Sequence, residues 1–259
     1  MHELSRALIV IPTYNEAENL PPLVHEIMAV PAAFDVLIVD DNSPDGTGQI
    51  AEDLAQSCPA MHVLHRPGKQ GLGTAYIAGF RWALQRDYQY ILEMDCDFSH
   101  HPRYLPHFLE HMEHADLVIG SRYVSGGGTA NWGLLRQLLS ASGNFIARAV
   151  LGLGTHDCTG GFRCYRRDLI ESIPWEEIQV HGYGFQIGAA YYAERRGGQI
   201  VEFPILFEDR QAGQSKMTTA IVFEALVFVL RLALFKGRLG GARSVAPKLD
   251  ESKEKPDAV

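Results

Sequence analysis

Four short apolar runs set the tightest limit on what this chain can fold into. Residues 7–11, 36–39, 90–94 and 117–120 are mostly apolar and β-favouring, with a shorter run at 62–64. Segments of helical spacing separate them: 15–28, with Leu20, Leu23 and Ile27 on one face, then 46–55, 73–85, 107–114 and Leu134–Leu151. Near-continuous apolar runs suit strands covered on both faces. Their alternation with helices predicts an α/β fold, a mainly parallel sheet with helices on both faces. In such sheets ligands bind beyond the carboxyl ends of the strands. Two acidic clusters, at 40–45 and 95–97, fall there.

Charge narrows the partners. The 259 residues carry a net charge of −8, with −12 on residues 1–209 and +5 on 210–243. An acidic body repels nucleic-acid phosphate, so no nucleic-acid partner is expected. The basic stretch coincides with the most apolar one, 220–235, which Glu224 and Arg231 interrupt. It is shorter than the ~20 apolar residues of a membrane span. The expectation is an amphipathic interfacial helix over 220–238, with an ordinary core helix as the alternative. Residues 1–243 are expected to form one domain and the Pro/Lys/Glu/Asp-rich 244–259 a disordered tail. Four cysteines without a C-x-x-C pair fit a reducing compartment, and the opening Met-His-Glu-Leu-Ser-Arg has no signal-peptide pattern. A cytoplasmic protein is expected.

Two familiar phosphate-binding patterns are missing. Gly71 and Gly73 start a G-x-G-x-x-G, but Tyr76 stands where its third glycine belongs, and no G-x-x-x-x-G-K-[ST] occurs. The sequence offers carboxylates instead. In Asp95-Cys96-Asp97 the two acids flank one residue, so a curved loop turns both toward one hard cation such as Mg²⁺ or Mn²⁺. That ion would stabilise a diphosphate leaving group. A second metal pattern competes: His107-Phe108-Leu109-Glu110-His111 fits H-x-x-E-H, with His114 one turn on, the spacing of a zinc hydrolase. Phe108, Leu109 and Met112 form an apolar stripe there, which favours a packed helix with solvated histidines.

Taken in order, several segments resemble the markers of family 2 glycosyltransferases. They are Pro12-Thr13-Tyr14-Asn15-Glu16, the stretch from Val39 to Thr47, Gly71 to Tyr76, Asp95 to His100, Gly120 to Tyr123, Thr159 to Arg163, and Asp209-Arg210 through Ser215-Lys216. More narrowly, the chain resembles polyprenyl- or dolichyl-phosphate mannosyltransferases over about residues 6–238. The resemblance implies a GT-A type fold for nucleotide-diphospho-sugars. It implies that Pro12, Tyr14, Glu16, Val39 and Asp41 hold the nucleoside, and that Asp95, Cys96 and Asp97 serve the diphosphate. Asp95 and Asp97 would bind Mg²⁺ or Mn²⁺, with Ser99, where some members carry Gln, as the third candidate ligand. Arg210 and Lys216 match residues that close on the donor phosphates; Arg122, Arg136 and Ser140 match those that receive the lipid phosphate. Asp95, Asp97 and Arg122 are the candidate catalytic residues. Lys69, in a Gly-rich loop, is given no role.

The implied reaction moves mannose from GDP-mannose to a polyprenyl phosphate with inversion, giving a β-linked lipid phosphate sugar. A phosphate monoester is already anionic at neutral pH and attacks without strong base assistance. Transfer of glucose or another hexose from a UDP-sugar is the alternative. A polyprenyl acceptor places the work at the cytoplasmic face of a membrane. Arg231, Lys236, Arg238 and Arg243 would meet headgroups there, or a small membrane-anchoring partner would assist.

Overall fold

The computed structural model describes residues 7–178, 180, 182–208 and 219–235, with 219–222 and 235 described by backbone alone. Arg210, Lys216, Lys236, Arg238, Arg243 and the 244–259 tail lie outside the described residues.

The chain opens with β1 (Ala7–Thr13), α1 (Leu20–Met28), β2 (Phe34–Asp40), α2 (Thr47–Ser57), β3 (Met61–His65), α3 (Leu72–Leu84) and β4 (Tyr90–Glu93). It continues through α4 (Leu105–Met112), β5 (Leu117–Ser121), β6 (Gly128–Thr129), α5 (Leu134–Leu151), β7 (Arg163–Arg166) and α6 (Arg167–Ser172). The last elements are α7 (Tyr183–Arg195), β8 (Ile200–Pro204), β9 (Leu206–Phe207) and α8 (Thr219–Phe235). Seven strands form one sheet in the order β3-β2-β1-β4-β7-β5-β8, and β6 pairs with β9 in a small second sheet.

Side-chain alternation along the strands splits the core into two layers. Leu8, Val10, Leu37, Val39 and Ile91 face α3, α6, α7 and the buried side of α8. Ile9, Ile11, Val36, Ile38 and Leu92 face α1, α2 and α4. Both faces are therefore covered, as the apolar runs predict. The closest approach is at Gly79, where an added Cβ would collide with the Val10 side chain.

Three features depart from the sequence reading. The helix expected from Asn15 starts only at Leu20, because Pro21 and Pro22 occupy its first turn, where their missing N–H groups cost nothing. Residues 15–17 instead bond sideways to the β2–α2 loop. Second, β7 was not legible as a strand. It runs antiparallel to both β4 and β5, so the mainly parallel sheet has an antiparallel insert near its middle. Its sequence, Arg-Cys-Tyr-Arg, hides this position because Arg163 is 0% exposed yet charged. Buried Arg163 reaches the Gln186 and Cys158 carbonyl oxygens at 2.8 and 3.0 Å. Third, α8 buries only one side. Phe228, Val229 and Leu232 are buried, whereas Phe223, Leu226, Val227, Leu230 and Leu234 are exposed.

The crowding at Gly79 has a measurable consequence. Gly79→Val lowers stability by roughly 1–3 kcal/mol through overpacking against β1, seen as a lower urea midpoint. Gly143→Ala on α5, where an added Cβ meets nothing within 4 Å, raises that midpoint by removing helix-interior glycine.

Candidate active site

Strand order decides where the site forms. β1 is bonded by parallel β2 on one side and parallel β4 on the other, so the connections leave it in opposite directions. That topological switch opens a crevice at the carboxyl edge. A cleft of about 580 Å³ occupies it. Pro12, Tyr14, Glu16, Asp41, Asp95, Cys96, Asp97, Arg122 and Arg136 all line it.

The loops that make the cleft brace one another. Asp40 is turned away from it, accepting from Thr13 Oγ1 at 3.2 Å and from Ser43 Oγ at 2.6 Å. Asp45 accepts from Thr47 Oγ1 at 2.6 Å and from the Ala17 N–H at 3.1 Å. Burial works against its charge, but these bonds prevail and hold its carboxyl below the usual range. Of the acids at 40–45, only Asp41 lines the cleft. Arg66 pairs with it at 2.9 Å, and burial raises its pKa against that partner. Each motif loop turns through one non-glycine residue of positive φ: Asn15 (60°), Asn42 (56°) and Phe98 (62°). Asn tolerates this region; Phe98 is strained, and a buried ring holds it.

Beyond β4, Asp95 accepts from the buried Tyr76 hydroxyl at 3.0 Å. Its backbone N–H donates to His100 Nδ1 at 3.0 Å, which leaves the ring proton on Nε2. Burial keeps His100 neutral, lowering its pKa against the pull of Asp95 and Asp97. Ser99 is buried and does not line the cleft; its Oγ donates to Asp97 Oδ1 at 2.5 Å. Asp95 and Asp97 are hard oxygen donors on one wall, which suits Mg²⁺ or Mn²⁺. Among the described residues no three His, Cys, Asp or Glu side chains gather as a metal site. An ion held here would complete its shell from a diphosphate and water.

Two arginines also line the cleft. Arg122 is 6% exposed and forms a bidentate pair with Asp157, Nε to Oδ2 and Nη2 to Oδ1, both 2.8 Å. Burial alone would raise the Asp157 pKa, but Arg122 overrides it and holds the carboxyl at about 2. Arg136, on α5, lies over the Trp132 ring at 3.9 Å. Ser140, one turn further on, does not line the cleft; its Oγ accepts from the Tyr123 hydroxyl at 2.8 Å. Val39 is wholly buried, which leaves only its backbone to serve a ligand.

Sequence reasoning missed several lining residues. Lys69 sits 4.3 Å from the Tyr14 ring centroid, and Trp132, Tyr183, Gln186 and Glu224 line the cleft as well. Only Lys69 carried a signal, its Gly-rich loop; the others come from segments distant in sequence. The zinc reading fails on geometry. His107 Nδ1 meets Glu110 Oε2 at 3.0 Å on the surface, His111 stacks on Phe203 at 5.5 Å, and neither lines the cleft.

Residues 8–173 match the family model for glycosyl transferase family 2. The undecaprenyl-phosphate mannosyltransferase of Micrococcus luteus is 49% identical over 229 residues, spanning 88% of this chain and 94% of its own. The polyprenol monophosphomannose synthase of Mycolicibacterium smegmatis is 46% identical over 242 residues, spanning 93% and 91%. A solved glucosyl-3-phosphoglycerate synthase from Mycobacterium tuberculosis, in complex with Mn²⁺, UDP and glucosyl-3-phosphoglycerate, shares the fold. Its TM-score is 0.64 at 19% identity, covering 88% of this chain and 79% of that one.

The Tyr76–Asp95 bond is testable without disturbing the core. Tyr76→Phe keeps the ring and removes one hydrogen bond worth about 1 kcal/mol. If Asp95 holds a divalent ion, Mn²⁺ affinity then weakens by roughly three- to tenfold, with the thermal midpoint little changed. Isothermal titration calorimetry reads the affinity and scanning calorimetry the midpoint.

Proposed function

The chain belongs to glycosyl transferase family 2, and from that premise we propose that it moves mannose from GDP-mannose to a polyprenyl phosphate. The observation that carries this reading is the lining of the cleft, which brings Asp41, Asp95 and Asp97 together with Arg122 and Arg136. A nucleoside diphosphate sugar and a phosphate monoester are the pair of ligands such a cleft suits. The two relatives' names supply the sugar and the lipid.

Each residue then has a task. Tyr14, Glu16, Asp41 and the Pro12 backbone hold the nucleoside, with Lys69 and Arg66 behind Asp41. Asp95 and Asp97 hold Mg²⁺ or Mn²⁺, which when bound supplies positive charge against the departing diphosphate. Arg210 and Lys216 are assigned to the same phosphates. Arg136 draws in the lipid phosphate, and Arg122 orients it, because an anionic nucleophile needs position more than a base. The lipid phosphate displaces the nucleoside diphosphate in a single in-line step, turning an α-linked donor into a β-linked product. The acid test is incubation with labelled GDP-mannose, UDP-glucose or UDP-N-acetylglucosamine plus a polyprenyl phosphate, followed by organic extraction. Label from GDP-mannose enters the lipid fraction, and Asp97→Ala abolishes it with the fold intact. Label from a UDP-sugar instead, or near-normal transfer by Asp97→Ala, sinks the assignment.

The same reading puts the enzyme at the cytoplasmic face of a membrane. Among the described residues no helix is long and apolar enough to cross one. Helix α5 exposes Leu134 (77%), Leu135, Leu138, Leu139, Phe145 and Ile146, and it packs against α8, which exposes Phe223, Leu226 and Leu234. Exposed apolar surface on this scale marks an interaction face. Arg136 lies on the same helix, so a face lying on a bilayer brings the cleft to headgroup level. Truncation before α8 would uncover buried Phe228 and Val229, so point substitutions test this better. The full chain pellets with phosphatidylglycerol vesicles at low salt, and Leu135→Asp with Leu139→Asp leaves it in the supernatant. If the unmodified chain fails to pellet at low salt, the interfacial reading of this face is wrong.

A further inference from the structure

One buried side chain of the cleft wall carries a polar atom with nothing to bond. Gln186, on α7, is 3% exposed and lines the cleft. Its Nε2 donates to buried Glu93 Oε2 at 2.7 Å, and this bond fixes which way the amide is turned. The backbone beneath it is held too, because Arg163 Nη1 donates to the Gln186 carbonyl oxygen at 2.8 Å. Oε1, the other branch of the amide, is buried without a hydrogen-bond partner. A buried acceptor left unpaired costs about 1–3 kcal/mol. Beside a ligand cleft, such an atom calls for a donor that the ligand brings.

The wall around Gln186 joins the acidic loop to Arg122. An added Cβ at Gly161 would stand 3.4 Å from Gln186 Nε2 and 3.6 Å from His100 Cε1, so the amide and the imidazole flank this glycine. His100 in turn receives the Asp95 N–H on Nδ1 at 3.0 Å. Two residues before Gly161, Thr159 Oγ1 accepts from Arg122 Nη2 at 2.8 Å. His100, Thr159, Gly161 and Gln186 all line the cleft. The diphosphate assigned to Asp95 and Asp97 and the lipid phosphate assigned to Arg122 therefore meet along this stretch. The transferred sugar has to lie where they meet, because its anomeric carbon is bonded to one and attacked by the other.

We propose that Gln186 is a sugar-binding residue: its Oε1 accepts a hydroxyl of the hexose that is transferred. This rests on the assignment of the donor diphosphate to Asp95 and Asp97 and of the lipid phosphate to Arg122. A neutral amide suits the task, since it accepts a hydroxyl proton without adding negative charge beside a diphosphate. The Glu93 bond gives Oε1 one position. A hexose whose hydroxyl points elsewhere leaves that oxygen unpaired, so the residue also selects among epimers.

The test compares kcat/KM for transfer to polyprenyl phosphate from GDP-mannose and from its singly deoxygenated sugar analogues. With the unmodified chain, at least one analogue loses about fivefold or more. Gln186→Met keeps the side-chain length and removes Oε1. It slows GDP-mannose by about the same factor and treats that analogue and GDP-mannose alike. A merely structural defect would slow both donors and keep the gap between them, and a gap undiminished for every analogue overturns the proposal. Should Gln186→Met fail to fold, Gly161→Ala sets a methyl group against the amide. It weakens GDP-mannose binding about threefold or more while GDP, which has no sugar, binds unchanged. Equal weakening of both ligands, or of neither, overturns the proposal. Transfer from a UDP-sugar in place of GDP-mannose sinks the donor reading alone, and the deoxygenated analogues of that donor then decide the role of Gln186. If the unmodified chain transfers no sugar, the functional reading falls, and calorimetric affinities for the same donors decide whether Oε1 meets a hydroxyl.

Discussion

Everything in the site depends on β1 being hydrogen-bonded on both sides by parallel partners. Thr13 is level with Asp40 across β1 and β2, and Val10 is level with Glu93 across β1 and β4. Parallel pairing in that register makes three strands end at one edge, and the switch in direction parts their loops. The loops are then turned at single left-handed residues, two of them asparagines. At Phe98 the surrounding structure sustains a conformation that costs on the order of 1–3 kcal/mol. The buried phenylalanine ring is what opposes that cost.

Charge in this molecule is sorted by hydrogen-bond partners rather than by residue type. Asp40 and Asp45 hold loops together, while Asp41, one residue from Asp40, lines the cleft. Arg163 and Arg122 are both buried, yet one braces the sheet and the other lines the site. Below the cleft, burial pushes the Glu93 carboxyl up to about 7, despite nearby Arg163 and a 2.7 Å bond from Gln186 Nε2. Gln186 joins that buried layer to the cleft wall, so the floor of the site is tied to β4 and α7 together. Such networks hold their geometry because an unpaired member would be expensive.

The apolar surface of α5 and α8 belongs to the same design. A helix normally buries its apolar stripe, and α5 buries only Asn144, Ala147 and Leu151. Leu134, Leu135, Leu138 and Leu139 point outward next to the residue assigned to the lipid phosphate. Helix α8 divides its own apolar side chains between the core and that outer face. Glu224, the acid that interrupts its hydrophobic run, lines the cleft. The face proposed for the bilayer and the wall of the active site are therefore the same two helices.

The apolar runs, the helical spacings and the acidic strand ends were legible because each is a local property. Contiguous β-branched residues specify a doubly covered strand, and paired aspartates suit a hard cation wherever they meet. So the parallel half of the sheet and the acids at the ends of β2 and β4 follow from sequence order, whereas Pro12, Tyr14 and Asp41 were named through the family resemblance. The antiparallel β7 did not, since a four-residue segment carrying two arginines earns its central place only through Glu93, Gln186 and Cys158 from elsewhere. Nor did Asp157: an aspartate 35 residues from Arg122 has no local mark. The outward leucines of α5 were hidden for the opposite reason. Helical spacing shows which residues share a face, but only the packing of the other helices decides whether that face is covered.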